Sequence, residues 1–275
     1  MGTSMSSKGP NGNNPLVPAW AEEGDTVTIS DGDTSSNDMG ISNSEVQDEI
    51  PKPEGASPSS SRFTEARKAF GEYAKSGNRD DLKRSLGQYA RKSTGKGGGA
   101  AKRLASGITA GTGLFGLLSG NTVSTVAGQL ALSDLGGLST DQAIDRIVTH
   151  LSPESADADL VRTAMNFALS EALQKYDQIN DVDFTPDLMA EVFICYLTDL
   201  VFQQVLFDMG KAWFHAETAI RQIHMENELR ELIKVIVDSK LDKISNGNFS
   251  SISQHQITQV QIAAISETIT EWEQF

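Results

Sequence analysis

From Arg62 onward, apolar side chains recur every three or four residues. That spacing predicts amphipathic helices, since a strand would alternate instead. Two helices are expected over residues 62–76 and 79–93, the second capped by Asn78. They share a short match: Phe70-Gly71-Glu72-Tyr73-Ala74-Lys75 aligns with Leu86-Gly87-Gln88-Tyr89-Ala90-Arg91 at an offset of 16 residues, so Gly71 and Gly87 are expected at close helix contacts. Ser139 and Gln142 form a capping box ahead of Ala143-Ile144 and Ile147-Val148. Ser152-Pro153-Glu154 and Thr185-Pro186-Asp187 each place a cap before a first-turn proline. The helix opened at Thr185 is apolar on most sides from Val192 to Phe207, which marks it as the central core element. Its pattern continues through Ile220, Ile223, Leu229, Ile233, Ile236 and Leu241 until Asn246-Gly247-Asn248 stops it, and a last helix runs from near Ser253 toward Trp272.

Residues 104–133 carry no charged side chain and are punctuated by Gly107, Gly111, Gly113, Gly116 and Gly120. Small residues at this spacing suit a membrane span or a buried helix pair. Leu104 to Leu118 is shorter than the roughly 20 apolar residues a span needs, which favours burial. No Asn-Gly turn lies between two strand-like runs, so strands are not expected. The fold class is therefore all-α: a single domain of roughly seven to nine helices over residues 62–275.

Residues 1–61 break this pattern. They are rich in Ser, Gly, Asn, Asp and Pro, and Trp20 is their one aromatic. Such a segment cannot bury enough apolar surface to offset ordering, so it is expected to be a long disordered tail. No apolar core follows Lys8, so it is not expected to be a secretory signal. The tail also explains a low hydrophobic content of 38%.

Charge divides the chain in the same places. The formal net charge is -14, yet residues 62–103 hold 12 basic and 4 acidic residues. The total argues against a general nucleic-acid coat. The basic stretch, including Arg67, Lys68, Lys83, Arg84, Arg91 and Lys92 with Tyr73 and Tyr89, is a possible docking surface. It suits nucleic acid, an acidic partner, or the chain's own acidic body; repulsion from the rest of the molecule favours protein.

Catalytic chemistry is not legible. A single cysteine excludes an intramolecular disulfide and multi-cysteine zinc sites. Cys195 sits inside the apolar helix and is expected to act as a small core hydrophobe. Lys96 in Thr94-Gly95-Lys96-Gly97-Gly98-Gly99 fails the phosphate-loop spacing, because Ala90 and Gly97 stand where Gly and Ser/Thr are needed. His150, His215, His224 and His255 have no metal-ligand spacing and suit surface or capping roles. Asp181 and Asp183 read as a solvated loop ahead of a helix. No catalytic residue, metal or cofactor of its own is expected.

The N-terminus carries more information. Loss of Met1 would leave Gly2 with an unhindered α-amine, whose pKa near 7.7–8 keeps a useful fraction neutral at pH 7. Such an amine is a good nucleophile for an activated carboxylate. Met-Gly-x-x-x-Ser, with Gly2 and Ser6, also matches an N-myristoylation pattern. Pro15-Leu16-Val17-Pro18-Ala19-Trp20 suits an extended docking segment anchored by Trp20.

The opening Met1-Gly2-Thr3-Ser4, then Ser7-Lys8-Gly9-Pro10 and Pro15-Leu16-Val17-Pro18-Ala19-Trp20, resembles that of QatB proteins, components of the bacterial Qat anti-phage defence system. Leu86-Gly87-Gln88-Tyr89-Ala90-Arg91, Gly116-Leu117-Leu118-Ser119-Gly120 and Asp208-Met209-Gly210-Lys211 are similar too. The resemblance implies a bacterial cytoplasmic protein that is not an enzyme. It implies that Gly2 is the modification site and that Thr3, Ser4, Ser7, Lys8, Gly9, Pro10, Pro15, Leu16, Val17, Pro18 and Trp20 bind a partner. That partner is a deazaguanine-synthase-like (QueC-like) protein, QatC-like, using ATP, a 7-deazaguanine and zinc. A QatA-like ATPase and a QatD-like (TatD-like) nuclease are further implied partners; no membrane is implied.

Overall fold

The computed structural model describes residues 62–93, 99–216, 218–245 and 252–275, all within one compact unit. The tail, the Gly-rich linker around Lys96 and the Asn246-Gly247-Asn248 stop lie outside the described residues.

Among the described residues there are nine α-helices: α1 Thr64–Ser76, α2 Arg79–Ser93, α3 Gly99–Arg103, α4 Ala105–Leu118, α5 Thr140–Leu151, α6 Ala158–Leu173, α7 Pro186–Met209, α8 Ala219–Ser245 and α9 Gln254–Glu273. The all-α reading holds, with one local exception. Strands β1 Val123–Thr125 and β2 Gly128–Leu130 form an antiparallel hairpin with Val123 opposite Leu130. The uncharged stretch is thus one helix and a hairpin, where a helix pair was expected. Three-residue strands are too short to show the alternation that would announce them.

Helix boundaries follow their caps where a side chain makes one. Ser139 Oγ accepts from the Gln142 amide while Gln142 reaches back to the Ser139 amide. Thr185 caps α7 ahead of Pro186. Asn78 Oδ1 accepts from the Asp80 amide at the start of α2, and Ser253 caps α9 through the Gln256 amide. Ser152-Pro153-Glu154 opens nothing. Ser152 instead closes α5, its amide bonded to the Val148 carbonyl, and α6 begins later, at Ala158. A Ser-Pro pair suits a helix end as well as a helix start, and here the preceding helix claims it.

α7 is the central helix. Val192, Phe193, Tyr196, Leu197, Leu200, Val201, Phe202 and Val205 are all buried, with α6, α8, α4 and α9 packed around it. The span Pro186–His215 is long and apolar enough to cross a membrane, and 72% of its most apolar window is buried inside the fold. The apolar pattern does not run on as one rod into α8. Gly210 adopts φ +52°, and a 3-10 segment, Gly210–His215, separates the two helices. Left-handed backbone is easy for glycine and costly for most other residues.

Gly111 is where α4 meets α7 and α9. Tyr196 donates to the Gly107 carbonyl at 2.7 Å, and Gln261 Nε2 donates to the Ile108 carbonyl at 3.2 Å. A methyl group at Gly111 would overlap the Gln261 carboxamide and lie 2.7 Å from Tyr196 Cε1. Gly111→Ala gains about 1 kcal/mol of helix propensity but forces a shift in two hydrogen-bonded side chains, which costs about 1–3 kcal/mol. A net loss of stability is expected in thermal unfolding. Gly113→Ala meets the end of the Leu151 side chain at 3.2 Å and, at ordinary contact distance, Val123 at 3.6 Å, and is expected to be neutral or stabilising. Equal effects at the two positions would remove the packing explanation.

Candidate functional site

The N-terminal candidates Gly2, Thr3, Ser4, Ser7, Lys8, Gly9, Pro10, Pro15, Leu16, Val17, Pro18 and Trp20 lie outside the described residues. The basic stretch lies mostly within them, and its side chains face several directions. Arg67 Nε donates to the Asp208 carbonyl at 2.7 Å. Arg84 pairs with Glu72 and, at 2.9 Å, with Asp81. Lys83 sits over the Phe275 ring, 5.7 Å from its centroid. Arg91 approaches the Glu273 carbonyl at 3.5 Å, and Arg62 donates to the Lys92 carbonyl. Lys68 and Lys92 are exposed. Much of the stretch therefore ties α1 and α2 to each other, to α7 and to the end of α9. Tyr73 and Tyr89 are buried, so neither offers a ring to a nucleic-acid base.

Gly71 and Gly87 do mark close contacts, though not between α1 and α2. Gly71 faces His215 of the 3-10 segment, and Gly87 faces the backbone of Trp272 and Phe275. The repeat thus encodes two similar helices with different neighbours, which sequence alone does not reveal.

The most concentrated polar chemistry is at Asp208, which is fully buried. Both of its carboxylate oxygens accept from Arg103 Nη2 at 2.6 Å. Oδ2 also accepts from the Tyr89 hydroxyl at 2.8 Å and Gln204 Nε2 at 3.1 Å. Burial raises the Tyr89 pKa, and the adjacent carboxylate raises it further, so the phenol stays a donor. Burial lowers the basicity of Arg103, but Tyr89 and Asp208 more than reverse this. A second buried carboxylate, Asp199, accepts from Arg230 Nε at 2.9 Å and Gln203 Nε2 at 3.1 Å. Arg230 is held between Phe202 and Phe167, its Cζ 3.9 and 4.9 Å from their ring centroids.

Both clusters are saturated by their own partners and act as internal latches. No group of three or more metal-ligating side chains occurs among the described residues. Cys195 is half-buried against the core and burial raises its thiol pKa, which keeps it protonated. His215, His224 and His255 are exposed, while His150 is half-buried with Nε2 3.2 Å from Thr125 Oγ1, in keeping with surface roles. Asp181 and Asp183 are exposed ahead of α7. An open groove of about 490 Å³ lies between the hairpin and α5, lined by residues including Ala127, Asp145, Arg146 and His150.

The apolar pattern misplaced one group of residues. Phe207, Phe214, Ile220 and Ile223 are 62, 69, 70 and 57% exposed, although Phe207, Ile220 and Ile223 continue the apolar spacing of core helices. After the break at Gly210 the 3-10 segment buries Ala212 and Trp213 and leaves Phe214 outside.

No curated protein and no solved structure matches the chain. A family model described as "Qat anti-phage system associated protein QatB" matches residues 95–271, from the Gly-rich linker to the last turn of α9. That covers more than half of the 275 residues. The chain belongs to the QatB family and is a component of the Qat anti-phage defence system.

Proposed function

We propose that the protein is a substrate and adaptor whose Gly2 α-amine is presented to a deazaguanine-synthase-like partner for conjugation to a 7-deazaguanine. The observation that carries this reading is the opening Met1-Gly2-Thr3-Ser4, followed by Ser7-Lys8-Gly9-Pro10 and the Pro15–Trp20 segment. Family membership adds support by placing the chain in a defence system in which such a partner is expected. In the proposed step, ATP adenylates the carboxylate of a 7-carboxy-7-deazaguanine and releases pyrophosphate. The neutral Gly2 amine attacks the acyl carbon, the C–O bond to AMP breaks, AMP leaves, and the nitrogen loses a proton as the amide forms. The partner supplies ATP, the deazaguanine and zinc chemistry. This chain supplies the nucleophile, with Thr3 to Pro10 and Pro15 to Trp20 holding the segment in the partner's site.

Intact-mass analysis after co-expression with the partner tests the reading. The expected result is an N-terminus lacking Met1 and carrying one deazaguanine acyl group. Gly2→Ala, or an N-terminal extension, is expected to abolish both the added mass and phage protection. An unmodified N-terminus in a protective strain, or protection retained after deletion of residues 1–20, would overturn it. The latter result would favour a helical scaffold that recruits the ATPase or nuclease.

A further inference from the structure

The exposed apolar residues on and after the C-terminal end of α7 track along one flank of α1. Arg67 holds the Asp208 carbonyl, next to Phe207. The Trp213 ring stacks on Phe70 with centroids 5.1 Å apart, next to Phe214. His215 lies against Gly71. Arg221 donates to the Tyr73 carbonyl at 3.0 Å, between Ile220 and Ile223. Phe207, Phe214, Ile220 and Ile223 are thus carried on a segment fastened to α1 from its first turn to its last.

Charge at this flank has one predominant sign. Lys68 and Lys75 stand three residues before and four after Gly71, so they share its helical side, and both are exposed. Lys211 is exposed on the 3-10 segment itself. None of these three lysines has an ion-pair partner among the described residues. Of the nearby acidic groups, Glu72 is engaged by Arg84 and Glu228 by the Tyr73 hydroxyl, which leaves Glu65, exposed in the first turn of α1, against three lysines. Apolar side chains beside unpaired cations are an unusual feature on a chain of net charge -14.

We infer that this flank, centred on Phe214 and Ile220 and edged by Lys68, Lys75 and Lys211, is the docking site for an acidic, amphipathic segment of a partner protein. The apolar side chains supply anchors, and the lysines select against basic partners and set the orientation. A protein segment fits better than an anionic membrane. Screening confines charge effects to about 8 Å at physiological salt, so a narrow segment meets only the local lysines. A bilayer would cover far more of an acidic surface. The inference does not rest on the Gly2 reading.

Photo-crosslinking in cells expressing the whole defence system tests it, with Phe214→p-benzoylphenylalanine in the full-length chain. The expected product joins position 214 to another component of the system, at a peptide of net negative charge that carries apolar residues at helical spacing. Its yield should fall at least about tenfold when Ile220→Asp and Ile223→Asp are added, and similarly for Lys68→Glu, Lys75→Glu and Lys211→Glu together. Circular dichroism on each purified variant confirms the fold. A crosslink to a second copy, to this chain's own residues, to lipid or to a basic peptide would overturn the inference. So would the absence of a product, or a yield indifferent to the charge reversals.

Discussion

Asp208→Ala is expected to cost about 3–5 kcal/mol of folding stability, read from urea unfolding. The carboxylate is completely buried and satisfies three donors, on Arg103, Tyr89 and Gln204. Alanine removes the acceptor and leaves the donors behind. The Arg103 side chain is only 23% exposed, so its charge gains little from water. Leaving a buried charge unpaired costs more than the pair contributes when intact. Asp208→Asn keeps the shape and one acceptor oxygen but turns an amide toward the guanidinium, so an intermediate loss is expected. The double replacement Arg103→Met, Asp208→Leu removes both charges and should recover much of the stability of the single variant. If Asp208→Ala costs less than about 1 kcal/mol, the latch is unimportant. The consequence is wider than one bond, because Asp208 is where α2, α3 and α7 meet.

Arg230→Ala is expected to be comparably damaging, about 3 kcal/mol or more, lowering Tm by roughly 6–12 °C for a domain of this size. Asp199 would keep only the Gln203 amide, and the Phe202 and Phe167 rings would lose the cation between them. Arg230→Lys separates the two contributions. Lysine restores a positive charge but has neither the planar face that stacks on Phe202 nor the fork that fits Asp199. Recovery of about half the loss is expected. Full recovery by lysine would mean that charge alone matters, and stacking does not.

These latches also clarify the basic stretch. Its sequence suggests one docking face, yet Arg67, Lys83, Arg84 and Arg91 reach Asp208, Phe275, Glu72 and Glu273 respectively. A run of charges along two helices projects around both axes, so proximity in sequence does not make a patch. Lys68 and Lys75 remain outward on the flank of α1 that the 3-10 segment follows.

Several features were legible in the chain itself because their causes are local. A side-chain oxygen that satisfies an amide two or three residues away needs no tertiary partner, and the caps at Asn78, Ser139 and Thr185 formed as expected, while Ser253 caps the helix expected to start near it. The apolar density of α7 likewise specified a helix buried on most sides. Glycines marked close approaches at Gly71, Gly87 and Gly111. What lies across from each glycine depends on residues far along the chain, and so do the partners of Asp208 and Asp199. Helical periodicity reports which side chains share a face, not whether that face meets the core. Only the packing of the helices decided that Phe207, Ile220 and Ile223 stay outside, although their spacing is that of buried residues. The local hydrogen bonds were determined by neighbours in sequence; the ion-pair latches and the exposed apolar flank were decided by how the helices turn back on one another.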